Sequence, residues 1–191
     1  MYLDTSVLGH WILYYQSPQK DIMEKASRNA RRSLMLLDQL KKGMFNCSFE
    51  SGSFAIAELL QVIRDDIATA KMKADALSLV YFKELRDFYS LDKEEMEDAY
   101  IYMENFLGYL RKLSIEFYET QIVPEAIGIL SLGCGIDTSD AIHLSYASGW
   151  CDYFVTGDMR LLKAKIQIQK VIENLKIIPA SGVHVQRELR K

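Results

Sequence analysis

The sequence predicts an α/β fold built on a mainly parallel sheet with helices on both faces. Three observations carry this. Short, mostly apolar runs recur, and segments with helical spacing separate them. These runs are close to continuously apolar, as expected of strands buried on both faces. Two of them, at 1–4 and 153–156, end in acids, Asp4 and Gly157-Asp158. In parallel α/β sheets, sites lie beyond the C-terminal strand ends.

Taken in order, residues 1–4 read as the first strand. Residues 5–17 begin a helix or a loop, which Pro18 interrupts. Asp21 opens a helical pattern that runs to Lys42, with Leu34, Leu37 and Leu40 near helical spacing. Gly43 ends it, because a left-handed cap costs glycine least. Residues 44–49 read as a second strand, 51–53 as a turn, and Ser53 as the N-cap of a helix over 54–67. The stretch 71–113 contains no proline and one glycine, Gly108, and predicts two helices at 71–88 and 92–113. Asp92 with Glu95 is a capping-box signal for the second. They read as a helical hairpin inserted in a single domain of 191 residues. Their facing apolar residues are Tyr81, Phe82, Leu85 and Phe88 against Tyr102, Phe106 and Leu110. A strand at 114–118 follows, then a helix at 121–132 closed by Gly133-Cys134-Gly135. Asp137 or Thr138 caps a helix over 139–148. The strand at 153–156, a polar helical stretch at 159–174 and a last strand at 175–178 complete the pattern.

Composition narrows the class. Hydrophobic residues make up 49% of the chain, enough for a full core, and the formal net charge of -3 shows no global basic signature. Local basic stripes can still grip a phosphate backbone. Arg28, Arg31 and Arg32 form one at helical spacing, and Lys163 and Lys165 follow Asp158. Both also read as solvated faces. Cys47, Cys134 and Cys151 offer neither a CxxC pair nor a zinc set. An odd, low count favours a reducing compartment. The N-terminus lacks the positive region of a signal peptide, and the run 7–15 is too short to span a membrane. The expected location is the cytoplasm, with no membrane association.

Four acids from separate segments, Asp4, Glu58, Asp140 and Asp158, point to a site that collects carboxylates, and such a site usually holds a divalent metal. Each acid also has a structural reading. Asp4 and Asp158 suit turns after strands. Asp140 suits the first turn of a helix, as does Asp137 one turn earlier. Glu58 stands among Ala55, Ile56, Ala57, Leu59 and Leu60, where a carboxylate needs a metal, an arginine, water or an open edge. His143 follows Asp140 by one turn and reads first as a structural histidine. With three histidines in the chain, oxygen ligands suit Mg²⁺ or Mn²⁺ better than Zn²⁺.

In combination, four fragments resemble the PIN-domain ribonucleases. They are Tyr2-Leu3-Asp4-Thr5-Ser6-Val7-Leu8, Ala57-Glu58-Leu59, Ser139-Asp140-Ala141-Ile142-His143-Leu144 and Phe154-Val155-Thr156-Gly157-Asp158. The resemblance covers residues 1–67 and about 114–180. It implies a three-layer α/β/α sandwich and Mg²⁺- or Mn²⁺-dependent hydrolysis of RNA phosphodiesters. It places Asp4, Glu58, Asp140 and Asp158 as the catalytic, metal-holding acids, with Thr5, Ser6 and Thr156 as hydroxyls that orient them. Many family members are toxins paired with a small antitoxin, and homodimers are common. Two features depart from the pattern: Arg160 stands where members often carry a further acid, and the segment 71–113 lengthens the chain. The competing readings are a catalytically silent PIN-like binding module and a phosphatase-like α/β protein using Asp4. A dehalogenase-like phosphatase site would want an acid at Ser6, and no GxGxxG follows the first strand for a nicotinamide cofactor.

Overall fold

The computed structural model describes residues 1–15, 27–75 and 90–190. Five strands form one all-parallel sheet: β1 (Tyr2–Leu3), β2 (Phe49–Gly52), β3 (Ile115–Tyr118), β4 (Tyr153–Thr156) and β5 (Lys176–Pro179). Their spatial order is β3-β2-β1-β4-β5. Parallel neighbours need crossovers, and helices supply them. One face carries α1 (Thr5–Tyr15), α2 (Arg28–Lys41), α3 (Ser53–Ala74), α4 (Lys93–Lys112) and, at the end of the chain, α8 (Gly182–Leu189). The other carries α5 (Pro124–Gly128, continued by a π turn at Ile129–Gly133), α6 (Thr138–Trp150) and α7 (Met159–Val171). The result is an α/β/α sandwich.

Period-two alternation along the strands divides the core in two. Leu3, Val155 and Ile178 point to the first face, where they meet Val7, Leu8, Trp11, Leu36, Leu59 and Phe106. Tyr2, Phe154 and Ile177 point to the second, against Leu130, Leu144, Leu161 and Ile168. Both faces are therefore buried at the central strands, which is why those strands are apolar throughout.

Several boundaries differ from the sequence reading. The second strand is at Phe49–Gly52, where a turn was expected, because Gly52 pairs with Tyr118 across the sheet. Ser53 does not cap α3; it is the first helical residue, and Gly52 is the N-cap with no side chain to offer. Thr120, after β3, supplies the cap instead. Its hydroxyl accepts from the Phe54 N–H at 3.1 Å, and its own N–H donates to Ser53 Oγ at 3.0 Å. A Cβ at position 52 would stand 2.3 Å from Thr120 Oγ1, so the close approach requires glycine.

Residues 71–74 finish α3 instead of opening a separate helix. The remainder of the expected first hairpin helix, with Tyr81, Phe82, Leu85 and Phe88, lies outside the described residues, as does Asp21. α4 begins at the predicted capping box of Asp92 and Glu95. Its Met103, Phe106, Leu107 and Leu110 join the first core. Tyr15 of α1 packs on Phe106 with ring centroids 5.6 Å apart, so α4 is part of the sandwich layer. Ser114 stops it in the left-handed conformation at φ 57°, and β3 follows. α8 was not anticipated; it is amphipathic and closes over Leu36 and Leu37 with Val185.

From β1 the chain moves outward through β2 to β3 on one side, and through β4 to β5 on the other. β1 and β4 are therefore the switch point, where crossovers diverge and leave a crevice at the C-terminal ends. Among the described residues, no helix is long and apolar enough to cross a membrane.

Candidate active site

Asp4 follows β1 directly. Its backbone N–H continues the ladder by donating to Val155 O at 3.0 Å, and its carbonyl accepts the first turn of α1 from Val7 and Leu8. The carboxylate is thereby turned into the crevice, 3% exposed. Two hydroxyls donate to Oδ2, Ser6 at 2.5 Å and Thr156 at 2.6 Å. Burial raises the Asp4 pKa; His143 and the two hydroxyls pull against it.

Thr156, the last residue of β4, joins the two strand tips. While it donates to Asp4, its Oγ1 accepts from the Asp158 N–H at 2.9 Å. Ser6 makes a similar bridge, accepting from the Gly157 N–H at 2.9 Å. Asp158 then caps α7, and its Oδ1 accepts from the Arg160 N–H at 2.6 Å. The Arg160 guanidinium folds back on the same carboxylate, with Nη2 2.8 Å from Oδ2. Burial of Asp158 acts to raise its pKa, but Arg160 outweighs it and the net direction is down.

Asp140 sits in the first turn of α6, one turn after the cap residue Asp137. Asp137 is spent on that cap: its Oδ1 accepts from Ser139 N–H at 3.1 Å. The Asp140 side chain is 15% exposed, and the nearest charged partner is Arg160 Nη2 at 3.8 Å. Burial, Asp4 and Asp158 together push its pKa up to about 7 against the pull of Arg160. Asp4, Asp140 and Asp158 thus feel one another across the crevice.

Glu58 reaches the same crevice from the second turn of α3, and its partner is a histidine. Oε2 accepts from Thr5 Oγ1 at 2.5 Å and lies 2.7 Å from His143 Nε2. His143, 1% exposed, also lies 2.5 Å from the Tyr2 hydroxyl through Nδ1, and that hydroxyl accepts from Gly52 N–H at 3.1 Å. With the imidazole proton on Nε2, every link has one donor and one acceptor: Gly52 to Tyr2, Tyr2 to His143, His143 to Glu58. Burial acts to raise the Glu58 pKa, but His143 and Thr5 outweigh it and hold it down. The apolar neighbourhood of Glu58 signalled a partner; that the partner is His143, and that Tyr2 stands behind it, was not legible in the sequence.

Two further groups border the site. His10, one turn after Ser6 on α1, lies over Gly157, where a Cβ would meet its Cε1 at 3.4 Å. Asn29 of α2 donates to Gly157 O at 3.2 Å. Arg32 lines a small pocket with Asn29, Thr156 and Gly157, which brings one residue of the α2 basic stripe to the tip of β4.

The donor set is made of hard carboxylate oxygens, and the Asp140 carboxylate is met by Arg160 at 3.8 Å, beyond hydrogen-bond distance. Its lone pairs and the mutual repulsion of the acids fit a hard divalent cation. As the side chains stand, no three ligating groups among the described residues close on a common point, and Asp158 meets Arg160. No protein-family model matches the chain, and no curated protein matches it.

Proposed function

We propose that this chain is a divalent-metal-dependent ribonuclease of the PIN-domain type that hydrolyses RNA phosphodiester bonds. The observation that supports it most is the Thr156 hydroxyl, which ties the Asp4 carboxylate to the Asp158 backbone at the β1–β4 switch point. Asp140 and Glu58 face the same crevice from helices on opposite sides of the sheet. Asp4, Asp140 and Asp158 are the residues that would hold Mg²⁺ or Mn²⁺, with Glu58 as a further ligand or as the group that positions water. When bound, such an ion lowers the pKa of a coordinated water and offsets phosphate charge. The protein's own part is orientation. Ser6 and Thr156 fix one oxygen of Asp4, while Thr5 and His143 fix one oxygen of Glu58. Arg32 and its neighbours on α2 supply positive charge for the RNA backbone. As a toxin of a toxin–antitoxin pair, the nuclease would be restrained by a small partner protein. A homodimer is the oligomer this reading carries.

The test is cleavage of single-stranded RNA with Mg²⁺, Mn²⁺ or EDTA, alongside phosphate release from a small phosphomonoester. Cleavage of RNA that needs the metal and is lost in Asp4→Asn supports the reading. Equal cleavage by both proteins removes it, and phosphate release alone would favour the phosphatase-like alternative. Asn keeps the size of the side chain and its contacts with Ser6 and Thr156, so the variant separates charge from fold.

One observation favours a second reading, a catalytically silent binding module. Arg160 occupies Asp158 at 2.8 Å and reaches Asp140 at 3.8 Å, an internal cation among the acids. Wild-type protein whose melting and RNA cleavage are both indifferent to Mg²⁺, Mn²⁺ and EDTA would establish it.

A further inference from the structure

We propose that the groove over β2 and β3, on the second face of the sheet, binds a small organic cation bearing an alkylammonium or guanidinium group. The second core covers β1, β4 and β5, but no described residue of β2 or β3 belongs to it. Glu50 lies beside Tyr2 in the sheet and shares its face; Glu116 and Tyr118 follow on β3 by register and alternation. α6 forms the other wall. The cavity between them measures about 440 Å³ and is lined by Glu50, Tyr118, Glu119, Gln121, Tyr146 and Trp150. That is the size of a small-molecule site.

The chemistry of the lining selects the occupant. Trp150 is 71% exposed and Tyr118 49% exposed, so two aromatic rings stand open to a ligand. Tyr146 is buried and held in place by an edge contact with Tyr2 at 5.9 Å. Aromatic faces attract cations, and organic cations above others because they shed water easily. Glu50 and Glu119 add charge of the matching sign and repel phosphate, which excludes RNA here. Cys151 donates to Glu50 Oε1 at 3.0 Å and fixes it at the floor. Burial, with Glu50, pushes the Cys151 thiol up to about 12, so it remains a neutral donor. The Met1 ammonium donates to Ser48 O at 2.9 Å and also acts on the Cys151 thiol, where it opposes the rise. Tyr146 and Trp150 lie one and two turns beyond His143, toward the N-terminal strand ends. The lining of the groove shares no residue with the four acids of the crevice.

Trp150 provides the readout, since the other tryptophan, Trp11, is fully buried. Tetramethylammonium and agmatine are titrated into the full chain while fluorescence is followed. Neopentyl alcohol serves as a neutral isostere and NaCl as an ionic-strength control. The expected result is a saturable change with at least one cation and none with the controls. Agmatine alone would identify a site for a hydrogen-bonding cation, guanidinium or primary ammonium, and tetramethylammonium alone a quaternary ammonium site. Affinity should fall at least fivefold in Glu50→Gln/Glu119→Gln, and at least twofold in Glu119→Gln, an exposed position where folding is not at stake. Silence with both cations, an equal response to the alcohol, or unchanged affinity in the Glu119→Gln variant would overturn the proposal.

Discussion

Asp140→Asn should stabilise the metal-free protein, and only above acid pH. The folded state holds the Asp140 pKa up to about 7, whereas the ordinary value is 3.8. Between those values the folded protein binds a proton that the unfolded chain releases, so stability falls as pH rises through this window. Below pH 4 the carboxyl is protonated in both states, and the variant gains almost nothing. Above pH 7 the wild type carries the whole cost. One pH unit corresponds to about 1.4 kcal/mol, which sets a ceiling of roughly 4 kcal/mol. Relaxation and solvent at a side chain 15% exposed reduce this; about 2 kcal/mol is the expectation at an effective dielectric near 20. For a chain of this size that is a rise in Tm of about 4–8 °C. The assay is thermal melting of both proteins at pH 4 and pH 8 in EDTA, then with Mg²⁺. The gain should be about 1 °C or less at pH 4 and full at pH 8. Mg²⁺ should raise the wild-type Tm and raise the variant's much less. A variant that melts lower than wild type at pH 8, or gains equally at both pH values, would refute the claim that repelling carboxylates share this crevice.

Three other perturbations test the surroundings. Arg160→Ala removes the guanidinium from Asp158 and Asp140, and calorimetric titration should show Mg²⁺ binding several-fold more tightly; unchanged affinity would mean that Arg160 does not compete for the site. His143→Ala empties a fully buried position and strips Glu58 of its donor, so urea unfolding should show a loss of about 2–4 kcal/mol, with an Asn at the same position recovering part of it. Gly52→Ala forces a Cβ to 2.3 Å from Thr120 Oγ1; an expected cost of about 1–3 kcal/mol should shrink in the Thr120→Ala background, because the clashing atom is gone.

Local signals marked much of the fold and the acids of the site. Strand runs ending in Asp4 and Gly157-Asp158, the Asp92–Glu95 capping box and the Gly43 stop are features of a few adjacent residues, and the structure places them as the sequence suggested. The Asp137 and Asp140 pair was ambiguous because both suit the start of one helix; only the helix's docking on the sheet turned Asp140 inward and left Asp137 as the cap. Thr120 capping α3, and Gly52 yielding space to it, join residues 66 and 68 positions apart, a relation with no trace in local spacing. The same holds for the Gly52–Tyr2–His143–Glu58 chain, whose members come from β2, β1, α6 and α3. Propensity and periodicity act over one or two turns of chain. Which polar groups meet in a crevice is set by how parallel strands stack and where their crossovers diverge, and that is a property of the packed molecule alone.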